Sequence, residues 1–450
     1  MASTGNLIIQ CFEGNNTYIP VDKAKVTITP IGDNVSKNRN PIEVLTDTSG
    51  QSLEVEISAP PVEYSEEPND NIPYSFVDIK VERNGFRPFL IKNAQIFPDT
   101  TAIQNCSLIG IEERQNEVIE ILPNRLVGNY PAKIPEDPDK ILPLPPSGTV
   151  VLPKPIIPEF IIVHQGSPNN PTAPNYKVRF KDYIKNVASC EIFPTWTEST
   201  IRSNIHCIIS FTLNRVYTEW YKSKGKNFTI SSSTAYDHAF NYGRNIFNTI
   251  DRAVEEIFSS YLRRKGKKQP LLTQYCDGKK VKCPGWMTQW GSKYLGDQGK
   301  TPYQILSSFY GNDIEVTTAE KVAGIPESYP GYTLTRGAKG EPVKTIQTQI
   351  NRIAKNYPLI PKLIVDGIYG SKCIESVKTF QKVFRLPETG NVEYATWYKI
   401  SNIYVGVTKI AELRSSTNIS GVERIFFPPM THEMYNSKSI PHVAYFDDLD

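Results

Sequence analysis

The chain has 450 residues, 39% of them hydrophobic, and a formal net charge of +3, so about three domains with packed cores are expected. The near-balanced charge gives no basic stripe of the kind a nucleic-acid binder shows, and no run approaches the ~18 apolar residues of a membrane span. Seven scattered cysteines, an odd number, exclude a disulfide scaffold. The opening MASTGNLIIQCFEG has neither a basic n-region nor a long apolar core, so no secretory signal is expected there.

Residues 1–115 read as an all-β sandwich. GNLIIQCF, AKVTITPI, PIEVLTD, SLEVEIS, YSFVDIKVE and LIKNAQIF have strand length and β-branched or alternating patterns. Turn signals such as Thr48-Ser49-Gly50 and Asn84-Gly85 separate them. No nucleophile, metal cluster or phosphate loop stands out here, so a structural or regulatory role is expected. The spacing Pro20-Val21, Ala24-Lys25-Val26, Thr46 to Gly50, then Tyr74, Val77, Val81 and Gly85-Phe86 resembles carboxypeptidase-regulatory-like, transthyretin-like modules. In residues 116–158 prolines recur at 123, 131, 135, 138, 143, 145, 146, 153, 155 and 158. Few backbone donors remain, which favours an extended, protease-accessible spacer. It is either an inert linker or the place where an inhibitory N-terminal segment is cut away.

Residues 159–325 form the middle domain, organised around Val187–Trp220. Glu191 sits among Ile192, Phe193 and Trp196, ahead of a turn at Pro194. Thr195 and Glu198 have capping-box spacing, which predicts a helix start there. Ile201, Ile205, Ile208, Thr212, Val216 and Trp220 then mark one buried helix face. An unperturbed glutamate, with pKa about 4.3, is only ~0.2% protonated at pH 7. Burial against aromatic rings raises that share, as a general acid requires. A helix N-terminus facing the carboxylate would act the other way. The plainer alternative is a glutamate at a strand rim. A second amphipathic helix is expected with Ile246, Ile250, Val254, Ile257 and Tyr261 on one face.

Taken in order, Glu191 with Pro194, Arg215 and Tyr217, Asp237, Met287 to Gly291, and Gln298-Gly299 with Ile305-Leu306 resemble the catalytic domain of the stage II sporulation protein D family, SpoIID/LytB, over about 130 residues. Cys283-Pro284-Gly285-Trp286 stands where relatives often carry a His-Gly stretch. The resemblance implies an α+β domain that cleaves peptidoglycan glycan strands, with Glu191 protonating the glycosidic oxygen. With no second carboxylate evident, a lone acid suits a lytic transglycosylase better than a hydrolase, which needs a pair. Arg215 is the candidate for a substrate carboxylate, by bidentate hydrogen bonds, or for holding a neighbour. Tyr217, Asp237 and Gln289 are candidates to orient the sugar. Trp290 and Trp286 either stack on sugar or pack in the core. Cys276 and Cys283 flank a short loop and could form a disulfide, remain free thiols, or, more weakly, take part in a zinc site with Cys190, His206 or His238. No cofactor is expected.

Residues 330–408 read as amphipathic helices around an Asp366-Gly367-Ile368-Tyr369-Gly370 turn, with Val343, Ile346, Gln347 and Ile350 on one face and Val377, Phe380, Gln381 and Phe384 on another. With Gly337, Gly340, Gly390 and Trp397, this resembles a small helical peptidoglycan-binding domain. Asp366, Gly367, Tyr369, Gln381 and Trp397 are its candidate binding residues. Residues 409–450 form a tail without a readable motif.

The order of modules resembles the precursor of the clostridial spore cortex-lytic enzymes. That implies cortex peptidoglycan as substrate and a subtilisin-like Csp germination protease as activator. It further implies synthesis in the mother cell without a signal peptide and deposition in the cortex or coat region of the spore. A cortex amidase and a non-catalytic cortex-binding protein are the alternatives. No zinc triad and no Cys-His pair favours the amidase.

Overall fold

The computed structural model describes residues 3–32, 40–112, 118–124, 126–127, 130–137, 155–281 and 283–410. The tail beyond 410, and parts of the spacer 116–158 within which the cut is expected, residues 138–154 above all, lie outside the described residues. The described residues up to Thr408 cluster as one compact unit.

The N-terminal 120 residues supply β1 (Ser3–Glu13), β2 (Lys25–Ile31), β3 (Ile42–Leu45), β4 (Val55–Ala59), the short helix α1 (Glu63–Glu66), β5 (Ser75–Glu82), β6 (Phe89–Ile96), β7 (Thr101–Leu108) and β8 (Val118–Glu120). β1 lies between β4, antiparallel, and β7, parallel. The other sheet runs β3-β2-β5-β6-β8. Alternate residues of β5, Val77, Ile79 and Val81, point into the core, as a half-buried strand dictates. They share it with Leu7 and Ile9 of β1.

The middle region opens with β9 (Ile156–Ile157), β10 (Phe160–His164) and β11 (Asn175–Arg179), then α2 (Phe180–Glu191), α3 (Glu198–Tyr217), β12 (Ile230–Ser231), β13 (Ile246–Phe247), α4 (Asn248–Ile257) and β14 (Ser260–Arg264). It continues with β15 (Tyr275–Cys276), β16 (Met287–Thr288), α5 (Gln289–Asp297), α6 (Pro302–Tyr310), β17 (Ile314–Thr318) and β18 (Lys321–Val322). α3 is central and touches α2, α4, α5, α6 and β14. Its expected single buried face is therefore an underestimate, because Ser203, Asn204 and Ser210 are buried as well. The Ser203 and Ser210 hydroxyls donate to the carbonyls of Ser199 and His206, and the Asn204 amide donates to the Thr200 carbonyl and to the Ser292 hydroxyl. α5 approaches so closely that a Cβ at Gly296 would collide with the Thr200 hydroxyl.

Two boundaries differ from expectation. The N-cap of α3 is Thr197, whose hydroxyl accepts from the Thr200 N–H, while Thr195 Oγ1 is 2.8 Å from Ser65 Oγ of α1. The cap expected at Thr195 is therefore displaced by two residues, and with Thr200 as the third helical residue no Glu or Gln completes a capping box. The second amphipathic helix begins after Phe247 and ends before Tyr261, because Ile246–Phe247 and Ser260–Arg264 are drawn into strand pairs.

β13 adds to the N-terminal sheet beside β7. Asn245 exchanges two hydrogen bonds with the Gln95 backbone, at 3.1 and 2.9 Å. The C-terminal helices α7 (Glu341–Ile353), α8 (Ser371–Val383) and α9 (Tyr394–Val407) dock on both preceding regions. The Tyr357 hydroxyl donates to the Tyr18 carbonyl at 2.7 Å, and Lys399 reaches Glu255 of α4 at 2.9 Å.

Candidate active site

Glu191 is the last residue of α2, at that helix's negative end, which disfavours the carboxylate. The side chain is 6% exposed. Burial raises its pKa above the ordinary glutamate value, and the Lys133 ammonium, the Tyr275 hydroxyl and the Ala239 N–H pull it partly back. Oε1 accepts from that N–H at 2.5 Å. Neither Oε2 nor the Tyr275 hydroxyl completes a well-aligned hydrogen bond among the described residues.

The two groups share a cleft whose wall also includes Asp277 and Gln289. Gln289 opens α5 and donates to the Glu191 carbonyl at 2.7 Å, so it fixes the acid's backbone. Trp290 turns away from the cleft. It is 6% exposed, packs edge-on against Trp196 with ring centres 5.2 Å apart, and donates to the Leu126 carbonyl. Core packing is therefore its role, and the sugar-stacking option for it falls. Trp286 is half-buried.

Arg215 and Asp237 are brought together. Arg215 Nε lies 2.8 Å from Asp237 Oδ1, with both side chains fully buried. Asp237 Oδ2 accepts from the Tyr221 hydroxyl and from Ser231, through both its N–H and its hydroxyl. A carboxylate so saturated positions Arg215 and has little left to offer a sugar. Tyr217, two residues beyond Arg215, falls on another face of α3 near Tyr261 and does not line the cleft.

Four residues that sequence reading did not single out belong to the site. Tyr275 lies beside the acid, Asp277 lines the same cleft, and one Asp277 oxygen, Oδ2, has no partner among the described residues. Lys133 and Glu136 come from the proline-rich segment, which lies across the cleft as a strap. Lys133 Nζ is 2.9 Å from the Asp237 carbonyl, and Glu136 accepts two hydrogen bonds from Arg215, at 2.7 and 2.9 Å. His238 is fully buried, with Nδ1 2.9 Å from the Tyr183 hydroxyl. Burial, with the charges of Lys133 and Arg215, holds its pKa well below the usual range, so it is neutral at pH 7.

Cys276 and Cys283 form a disulfide that closes the loop beside Asp277. Cys190, His206 and His238 do not converge with them into a metal-ligand cluster among the described residues.

In the C-terminal module most motif residues are framework. Gln381 is buried, donating to Thr389, Asn391 and Thr396 and accepting from the Gly390 N–H. The Tyr369 hydroxyl donates to the Gly390 carbonyl and Trp397 Nε1 to the Glu327 carbonyl. Gly367 takes φ 74°, which suits glycine, and its N–H donates to Gln347. Asp366 is exposed and caps the turn by accepting from Gln347 and the Ile368 N–H. Beside it Ile364, Val365 and Ile368 are exposed apolar side chains, at 72, 47 and 46%.

Residues 339–400 match the family described as putative peptidoglycan binding domain. The chain is thereby a cell-wall-related protein with a helical peptidoglycan-binding module at its C-terminal side. No curated protein matches the chain. Among solved structures it is similar to catechol 1,2-dioxygenase of Acinetobacter radioresistens, at 14% identity over 26% of this chain and 58% of that one, TM-score 0.17. It is also similar to the minor pilin GBS52 of Streptococcus agalactiae, at 12% identity over 26% and 49%, TM-score 0.16. A third is chlorocatechol 1,2-dioxygenase of Pseudomonas putida, at 17% identity over 26% and 61%, TM-score 0.14. The chain spans less than two thirds of each, and at such scores no common fold is defined.

Proposed function

We propose that this chain is a peptidoglycan glycan-strand-cleaving enzyme, a lytic transglycosylase or muramidase, that degrades spore cortex during germination and is stored as a precursor. Its module order resembles the pro-form of the clostridial spore cortex-lytic enzyme SleC, with a SpoIID-like catalytic domain behind a β-sandwich pro-domain. The observation that carries the reading is Glu191: a buried carboxyl whose pKa is raised by burial, in a cleft on a body that also carries a peptidoglycan-binding module.

In this mechanism the protonated Glu191 gives its proton to the glycosidic oxygen as the C1–O bond breaks. The resulting carboxylate takes the proton of the muramic acid C6 hydroxyl, whose oxygen closes on C1 to leave a 1,6-anhydro end. The acid is regenerated and no water is consumed. Gln289 and the Ala239 N–H hold the acid in place, and Asp237 holds Arg215. Hydrolysis is a second reading with one observation in its favour: Asp277 is a second carboxylate in the same cleft. A water activated there would leave a reducing end instead.

The strap across the cleft supports storage as a precursor. A subtilisin-like Csp protease cutting within 116–158 would free it, in the cortex or coat region of the spore. Mass spectrometry of digested cortex tests the reading. Anhydro-muramic ends mean transglycosylase, reducing muramic ends mean hydrolase, free stems mean amidase, and no products mean a binder. Equal rates from intact and cut chains would overturn the precursor role.

A further inference from the structure

The fork of Arg215 is too well constructed for a casual surface ion pair. Asp237 fixes Nε, and the Tyr236 carbonyl accepts from Nη2 at 3.2 Å. The guanidinium lies over the rings of Phe211 and Trp220, 4.6 and 4.8 Å from their centres. Its remaining edge presents Nη1 and Nη2 side by side, the geometry that matches a carboxylate bidentately. Glu136 fills that edge with both oxygens.

The strap is held in register there. The Ile134 N–H donates to the Ala235 carbonyl, Gln274 Nε2 donates to the Ile134 carbonyl, and the Glu136 N–H donates to Gln274 Oε1, each at 2.9 Å. A few residues upstream, Tyr130 and Lys133 line the cleft that holds Glu191. On the other side, Glu136, Asn214 and Trp220 border a further pocket. Without Glu136 the buried guanidinium edge would lack an anion, which is costly. Asp237 takes only the Nε side of Arg215, and the Lys133 ammonium 2.9 Å from the Asp237 carbonyl leaves the group one positive charge in excess, so the free edge favours one incoming negative group.

We infer that the free edge of Arg215 is a carboxylate-binding subsite of the cleft, and that Glu136 occupies it as a tethered stand-in for a carboxylate of the peptidoglycan ligand. This rests on the proposed reading that the cleft takes peptidoglycan. The ligand's carboxylate belongs either to the peptide stem or to an unsubstituted lactyl group of muramic acid. Being tethered, the mimic competes at an effective concentration in the millimolar range, so the intact chain should bind such ligands weakly at this site.

The test is calorimetric titration of the full chain with three disaccharide probes. One bears a peptide stem, one a bare lactyl carboxylate, and one the lactyl amide. Glu136→Ala should bind at least one carboxylate probe about tenfold more tightly than the wild type does. Glu136→Gln should show a smaller gain, and the amide none. Adding Arg215→Lys to Glu136→Ala should abolish the gain, and the carboxylate probe that gains identifies the source. Equal affinities in wild type and Glu136→Ala, a gain the amide shares, or a gain that survives Arg215→Lys overturns the subsite. The binding module is common to every variant and cancels in the comparison. No turnover is read, so a chain that passes this test but never cuts glycan refutes only the enzymatic reading. A chain that cuts glycan but shows no gain refutes only the subsite.

Discussion

Glu255 holds three ammonium groups with one carboxylate, and removing it should be among the most damaging single changes in the molecule. Lys181 and Lys185 of α2 approach its oxygens at 2.6 Å, and Lys399 of α9 at 2.9 Å. Glu255 is 1% exposed, and the three lysine side chains are 8, 4 and 12% exposed. Burial alone would raise the Glu255 carboxyl, but the three lysines overcome it and hold it well below the usual range. In Glu255→Ala, Lys185 keeps Asp251 at 2.7 Å, while Lys181 and Lys399 have no other ion-pair partner among the described residues. Breaking one buried pair costs about 3–5 kcal/mol, and here two ammoniums are stranded, so the upper part of that range is expected. Urea unfolding followed by tryptophan fluorescence reads the loss. Burial already depresses the Lys181 pKa to about 8, so adding Lys181→Met to Glu255→Ala should recover part of it. A loss below about 1 kcal/mol, or no recovery in the double variant, would refute the view that this carboxylate ties α9 to the cleft-bearing body.

Two further changes test the interior. Burial lowers the His206 pKa to about 4, with the Arg202 carbonyl at 2.8 Å from Nδ1. The depressed value means that the folded state binds fewer protons than the unfolded one. Its contribution is therefore present above about pH 6.5 and lost as pH falls through about 4, by about 2–3 kcal/mol at pH 4.5. His206→Gln should flatten that part of the stability–pH curve, as unfolding midpoints at pH 7 and 4.5 would show. The disulfide closes a short loop, with a sequence separation of 7. Replacing Cys276 and Cys283 together by serine should cost about 2–3 kcal/mol, seen as a lower unfolding midpoint that no longer responds to reductant.

What the sequence made legible was mostly local. The strand patterns of the first 100 residues, the glycine turns of the C-terminal module and the position of Glu191 among apolar residues could all be read directly. That Glu191 ends a helix could not. The strand Asn175–Arg179 runs into α2 with no side-chain cap at Arg179, so nothing in the chain marks the change of period. The cap lies at Thr197 although only Thr195 has a glutamate three residues on, because Ser65, 130 residues away, engages Thr195. Tyr217 and Arg215 stand close in one motif, yet two residues is more than half a turn of helix, so they fall on different faces. The strap was hidden most completely. Its prolines predict an extended spacer, but only tertiary contacts across 79 residues bring Glu136 to Arg215.

The most direct measurement is product analysis of spore cortex treated with two chains, each cut in the spacer, one carrying Glu191 and the other Glu191→Gln. The substitution keeps the side chain's shape and removes the titrating proton. The expected result is solubilised cortex with anhydro-muramic ends from the first chain and no soluble products from the second. Solubilisation by the glutamine variant at an undiminished rate would contradict the assignment of Glu191 as the acid.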